Sequence, residues 1–134
     1  MKKAIVYFIY DRARNSILVE NRTSEQSFAG HKLFPGGKVN DTELNNLSLA
    51  LLREVKEELG IDILDFVDVN HPVVGIGDFA LYPFIITKWK GDIPEKVIDK
   101  GSILEWVGID DFSSDIKPIQ ELHKIIKDYV AQCY

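Results

Sequence analysis

Glu54, Glu57 and Glu58 stand three and four residues apart within Arg53-Glu54-Val55-Lys56-Glu57-Glu58-Leu59-Gly60-Ile61, a spacing that on a helix aims three carboxylates along one stripe. Like charges so placed repel by roughly 0.2–0.5 kcal/mol per pair on an exposed helix, a cost that a bound divalent cation turns into a binding site. Oxygen-only ligands favour Mg²⁺, with Mn²⁺ as the second choice. A metal held there can screen a phosphate chain, polarise phosphorus and acidify water, and one crowded carboxylate can be raised in pKa enough to serve as a base. The competing explanation is a solvated helix face, where Glu and Lys are simply good helix formers.

These residues need elements to hold them. Ala4–Tyr10 and Ser16–Glu20 are apolar runs joined by polar Asp11–Asn15, which predicts a β-hairpin, and Arg22–His31 reads as a loop. Leu33-Phe34-Pro35-Gly36-Gly37 puts two glycines where a backbone can approach a ligand without Cβ interference. Leu44, Leu47, Leu51, Val55 and Leu59 recur every three or four residues, predicting an amphipathic helix over 44–59 with the glutamates on its other side and Gly60 as its terminator. Asp62–Val69, Phe79–Trp89 and Glu105-Trp106-Val107 read as strands, with breakers at His71-Pro72 and Gly75–Asp78 and a polar loop over Gly91–Gly101. Pro118 suits a first helical turn, after which Ile119, Leu122, Ile125, Ile126, Tyr129 and Val130 form a stripe that packs on the sheet. The order implies an α/β (α+β) domain, residues 1–134, with a mixed sheet flanked by two helices.

With 134 residues and 46% hydrophobic content the chain can bury one core, and its charge of −5 argues against the basic surface that binding a nucleic-acid polymer normally needs. A small anionic substrate remains open to it if a metal neutralises the contact. No stretch of 18 apolar residues exists, so a soluble, intracellular, cytoplasmic protein without membrane partners is expected. Cys133 is the only cysteine, which excludes an intramolecular disulfide; at helical spacing it is expected to pack as a small hydrophobe.

The run Arg53–Ile61, with Gly37 before it, resembles the Nudix hydrolase signature, filling every specified position of that signature's second half. Leu33–Val39, Trp89-Lys90-Gly91, Glu105-Trp106-Val107 and Asp110-Asp111-Phe112 resemble MutT-type members, so the likeness covers essentially the whole chain. It implies a Nudix α/β/α sandwich with a central mixed sheet. It further implies Glu57 and Glu58 as metal ligands, Glu54 as a ligand or the group that handles the attacking water, the Gly36 carbonyl as another ligand, and Arg53 as the residue that orients a glutamate. The simpler role for Arg53 is an i,i+4 pair with Glu57. One departure stands out: nine residues, Leu44 to Leu52, separate Glu43 from Arg53 where the signature has seven. Two extra residues rotate Glu43 by about 200° on a continuous helix, so either the helix starts later and a loop absorbs them or Glu43 loses its family role of holding the loop through Arg53.

By the same resemblance the substrate is a nucleoside diphosphate joined to another group, most plausibly a nucleoside triphosphate such as 8-oxo-dGTP that is cut to the monophosphate and pyrophosphate. Dinucleoside polyphosphates, nucleotide sugars and a noncatalytic nucleotide-sensing module are the alternatives. Arg22 and Lys38 fall where MutT-type proteins carry phosphate-facing cations. Phe34, Pro35, Gly36 and Gly37 would meet the nucleotide, and Asp115 is the nearest polar candidate for reading the base, its competing role being a helix N-cap. Phe28, Phe79 and Tyr82 are stacking candidates and His31 a weaker contact, whereas His71 and His123 look structural. Glu95, Asp99 and Glu105 are candidates for an additional base. The oligomeric state is open between monomer and homodimer.

Overall fold

The strand β1, Lys2–Asp11, runs through the middle of the sheet and is buried on both faces from Ala4 to Tyr10. The computed structural model of the chain describes residues 2–23, 26, 28–69 and 74–133, with Val74 described by its backbone alone. β1 is continuous apolar because it pairs in parallel with β7, Phe79–Lys90, in the register Lys2↔Phe79 to Ile9↔Ile86, and helices cover both sides of that pair. Alternation splits its side chains: Ile5, Tyr7 and Ile9 join the core under the helix α1, Leu47–Leu59, while Val6, Phe8 and Tyr10 join the core under α2, Lys117–Cys133.

The hairpin expected from the sequence forms, with β2 at Ser16–Asn21 antiparallel to the end of β1. Its turn is polar for a reason: the Asp11 carboxylate accepts from the Ala13 amide at 3.0 Å and Asn15 sits at φ 48° with its side chain accepting the Tyr10 hydroxyl at 2.6 Å. Two short strands that periodicity alone does not predict follow, β3 at Lys32–Leu33 on β2 and β4 at Gly36–Lys38 on the start of β1. β5, Asp62–Asp68, and β6, Val74–Ile76, both pair antiparallel with β7. β8 covers Ile103–Gly108, longer than Glu105–Val107, and lies along β2. The expected breaker at His71-Pro72 lies outside the described residues. Among the described residues no helix is long and apolar enough to cross a membrane.

α1 departs from the sequence expectation at its start and on its faces. It begins at Leu47, and Leu44 lies outside it, 41% exposed. The row Ala50, Glu54, Glu58 runs beside the row Leu51, Val55, Leu59, only about 100° around the axis, and both rows are buried against the sheet. Glu54 and Glu58 are therefore not on the outer side of the helix. Leu49 and Leu52 are, at 47% and 44% exposed. The far end behaves as expected, with Gly60 left-handed at φ 68° and its amide donating to the Lys56 carbonyl at 3.0 Å. α2 buries Ile119, Leu122 and Ile126, with Ile125, Tyr129 and Val130 packed at the margin, while Cys133 is exposed rather than packed.

Candidate active site

Two glycines set how closely the backbone can approach α1. Gly36 pairs with Val6, and a Cβ on it would run into the Ile5 carbonyl and the Val6 Cα; a Cβ on Gly37 would run into the carboxylate of Glu54. The doublet thus lets β4 lie on β1 while a buried glutamate rests against its main chain. Pro35 anchors the same segment from the other side, its carbonyl accepting the Tyr7 amide at 2.9 Å.

Arg53 ties the loop to the helix. Its Nε and Nη2 donate to the two Glu43 carboxylate oxygens at 2.8 and 2.9 Å, Nη2 also reaches the Lys38 carbonyl at 2.9 Å, and Nη1 reaches Glu54 at 3.0 Å and Glu57 at 3.3 Å. The two-residue excess is absorbed outside the helix: Asp41–Glu43 forms a 3₁₀ turn capped from Asn40, a further turn follows, and α1 starts only at Leu47. Glu43 is thereby buried and paired with Arg53 in the forked geometry that makes guanidinium–carboxylate contacts strong. The Arg53 hydrogen bonds hold the Glu43 carboxyl below its ordinary pKa, and that carboxylate raises the guanidinium's in turn.

The three helix carboxylates differ in environment. Glu58 is fully buried, accepting the Tyr7 hydroxyl at 2.9 Å on Oε1 and the Lys100 ammonium at 3.1 Å on Oε2. Burial, only partly offset by Lys100, pushes its pKa up to about 7. Glu54, 7% exposed, is also raised by burial against the opposing pull of Arg53. The Glu57 side chain is 47% exposed. Lys100 arrives from the predicted polar loop, which folds back so that the Ile98 amide donates to the Glu58 carbonyl at 2.9 Å. Neither Lys100 nor Tyr7 carries a local sequence signal, because their contacts to Glu58 span 42 and 51 residues.

A divalent ion fits this donor set in kind. Every side-chain donor is a carboxylate oxygen, and the Lys100 ammonium marks Glu58 Oε2 as a seat for positive charge. Among the described residues no three acids already close on one point; Arg53 Nη1 bridges Glu54 and Glu57, and Lys100 engages Glu58.

Two adjoining cavities open along the glycine doublet. One, of about 430 Å³, is a cleft lined by Glu54, Glu57, Lys38, Lys100 and Asp99. The other, of about 370 Å³, is walled mainly by apolar side chains including Phe34, Leu81 and Leu122. Ala4, Arg22, Gly36, Gly37, Ile76, Phe79 and Leu81 line both. Phe34 is buried and packed edge-on to Phe8 at 4.8 Å, while Phe28, in the left-handed region at φ 59°, lines the apolar cavity 42% exposed.

Several sequence candidates fall elsewhere. Asp115 is exposed in the turn before α2 and lines neither cavity; Ser114, not Asp115, accepts the Ile116 amide at 3.1 Å. Tyr82 packs under Lys3 on the α1 side, His31 is exposed, and His123 hydrogen-bonds the Ile109 carbonyl at 2.6 Å. Of the loop acids, Asp99 lines the cleft, Glu95 is exposed outside it, and Glu105 is engaged by Lys32 at 2.8 Å and Asn21 at 3.3 Å. The sequence reading passed over Glu20, which is buried and lines the apolar cavity. Strand alternation gives the signal for it, because a charge sits in the same register as inward-facing Leu18.

The NUDIX domain family matches residues 1–130. Over 99 residues the chain is 37% identical to an 8-oxo-dGTP diphosphatase of Buchnera aphidicola subsp. Schizaphis graminum, covering 69% of this chain and 72% of that protein. A second 8-oxo-dGTP diphosphatase, from Proteus vulgaris, is 38% identical over 66% of this chain and 76% of its own length. The fold superposes on the crystal structure of a MutT NUDIX hydrolase from Burkholderia pseudomallei with a TM-score of 0.76 at 22% identity, over 93% of this chain and 97% of that one. The mixed sheet with its two helices is the fold of that structure, and the chain belongs to the Nudix hydrolase family.

Proposed function

We propose that the protein is a one-domain, Mg²⁺-dependent cytoplasmic enzyme that hydrolyses a nucleoside triphosphate to the monophosphate and pyrophosphate, clearing oxidised nucleotides such as 8-oxo-dGTP. The observation that carries this reading is the adjacency of an apolar cavity and a carboxylate cleft along one glycine wall. A nucleoside suits the first and a polyphosphate with its cation suits the second. The names of two relatives at 37% and 38% identity support the oxidised purine as substrate.

In this reading Glu54, Glu57, Glu58 and the Gly36 carbonyl hold the ion. Bound there, Mg²⁺, or Mn²⁺ in its place, supplies charge neutralisation at the phosphates and a more acidic water. Glu54, whose carboxylate rests against the glycine wall of the cleft, accepts the proton of the attacking water. Water oxygen bonds to phosphorus, the bridging P–O bond breaks, and pyrophosphate departs. Arg53 positions Glu54 and Glu57 through the hydrogen bonds of its Nη1. Lys38, Arg22 and Lys100 meet phosphate oxygens, Phe34 and Gly37 wall the nucleoside, and Pro35 fixes that wall through Tyr7. Asp115 reads the base only if the turn before α2 moves inward on binding.

The test is pyrophosphate release with Mg²⁺ from standard nucleotides, 8-oxo-dGTP, dinucleoside polyphosphates and nucleotide sugars, with products resolved by mass. Glu57→Gln removes charge at a half-exposed site, so it should keep the parent's thermal midpoint while losing roughly 10²-fold or more in kcat, the scale of removing one electrostatic contact to a transition state. Full activity in that variant discards the metal assignment. Tight nucleotide binding without turnover in either metal would make the chain a sensing module instead.

A further inference from the structure

Glu20 sits on β2 with 1% of its surface exposed, and the two oxygens of its carboxylate have different fates. Oε1 accepts from Arg22 Nη1 at 2.6 Å. Oε2 is the one buried side-chain polar atom among the described residues that has no hydrogen-bond partner. A carboxylate oxygen left in that state costs the fold its full desolvation, so a ligand that restores the missing hydrogen bond recovers it. The residue lines the apolar cavity, whose other walls are mainly apolar, Phe34, Leu81 and Leu122 among them, with Arg22 and Asp78 the other charged side chains on the lining.

We propose that Glu20 is a specificity-determining residue of the nucleotide site: its Oε2 accepts a hydrogen bond from an N–H or O–H donor of the nucleoside, while its Oε1 aims Arg22 at the junction between the cavity and the cleft. This rests on the nucleotide reading above and adds to it a residue and a chemical rule. A carboxylate repels phosphate, so the partner is on the nucleoside side, either a base N–H or a sugar hydroxyl. Arg22, lining both cavities, then takes the phosphate that follows. Because the cavity supplies so few polar groups, an analogue lacking the one donor leaves Oε2 buried and unpaired, and the site rejects it.

The experiment is calorimetric binding without metal, so that turnover plays no part, of 8-oxo-deoxyguanosine monophosphate and deoxyguanosine monophosphate. The base arm is deoxyinosine monophosphate, which lacks the amino group, and the sugar arm is dideoxyguanosine monophosphate, which lacks the hydroxyl. The parent protein should lose roughly ten- to a hundredfold in affinity toward one arm, the range of a charge-assisted hydrogen bond. Glu20→Gln should weaken binding of the complete ligand by a similar factor and no longer separate that arm from it. A parent protein that binds every analogue equally, or none, overturns the proposal, and this holds even if Glu20→Gln does not fold. So does a variant that weakens inorganic pyrophosphate as much as the nucleotide, since that places Glu20 on the phosphate side. Donor-dependent binding with no pyrophosphate release in Mg²⁺ keeps Glu20 as proposed and removes only the hydrolytic reading.

Discussion

The carboxylate cleft and the apolar cavity share a glycine wall and are built on opposite principles. The cleft is a charged network of paired acids: Glu43 with Arg53, Glu54 with Arg53, Glu58 with Tyr7 and Lys100. The cavity is held by packing, with Phe34 wedged between Phe8 and Phe112 at centroid distances of 4.8 and 5.0 Å. Charged networks in a low-dielectric setting have narrow tolerances, because removing one partner strands another. Packed walls relax, so their changes cost less and spread further. The cleft should therefore respond sharply to small displacements and to pH, and the cavity to shape.

The largest expected effect tests displacement. Gly37→Ala adds one methyl where the Glu54 carboxylate lies, and a shift of about 1 Å in a reacting group can cost on the order of 10²-fold in rate. Steady-state pyrophosphate release should fall by that order while far-ultraviolet circular dichroism stays that of the parent. Retention of full activity would mean the Glu54 contact has slack.

Next comes pH, which should register in the cleft alone. In the metal-free protein the folded-state pKa of Glu58 is about 7 against an ordinary 4.5. Between those values the folded state binds more protons than the unfolded state, so stability falls as pH rises, by on the order of 3 kcal/mol across the window. Urea denaturation in a chelator at pH 5 and pH 7.5 measures it, and adding Mg²⁺ should recover more stability at the higher pH, where the carboxylates are ionised. A metal-free protein that becomes more stable from pH 5 to 7.5 would contradict the buried state of Glu58.

The smallest effect belongs to the cavity. Phe34→Leu exchanges one apolar shape for another and should cost about 1.5 kcal/mol or less in stability, read by the urea midpoint. It should raise KM more than it lowers kcat. Equal losses in kcat would tie the cavity wall to the chemistry as closely as the cleft.

Legibility follows the same division. The hairpin, the amphipathic α2, the Gly60 terminator and the spacing of Glu54, Glu57 and Glu58 were readable because each is a pattern within about one element. The outer placement held for Glu57 but was wrong for Glu54 and Glu58, since apolar periodicity marks a buried row but cannot say that a neighbouring row bearing two acids is buried as well. Glu43 was undecidable from spacing alone. Its partnership with Arg53 depends on a 3₁₀ turn that takes up the extra residues before the helix begins.

Sequence by itself determined the carboxylate stripe and the glycine doublet, because helical geometry and the missing Cβ atoms act over a few bonds. Tertiary structure alone decided that Tyr7 and Lys100 would meet Glu58, that Glu43 would keep Arg53, and that Glu20 would lie buried with one oxygen unpartnered. Those contacts join residues on different strands and loops. Their energies depend on burial, which exists only once the sheet and its two helices have closed around them.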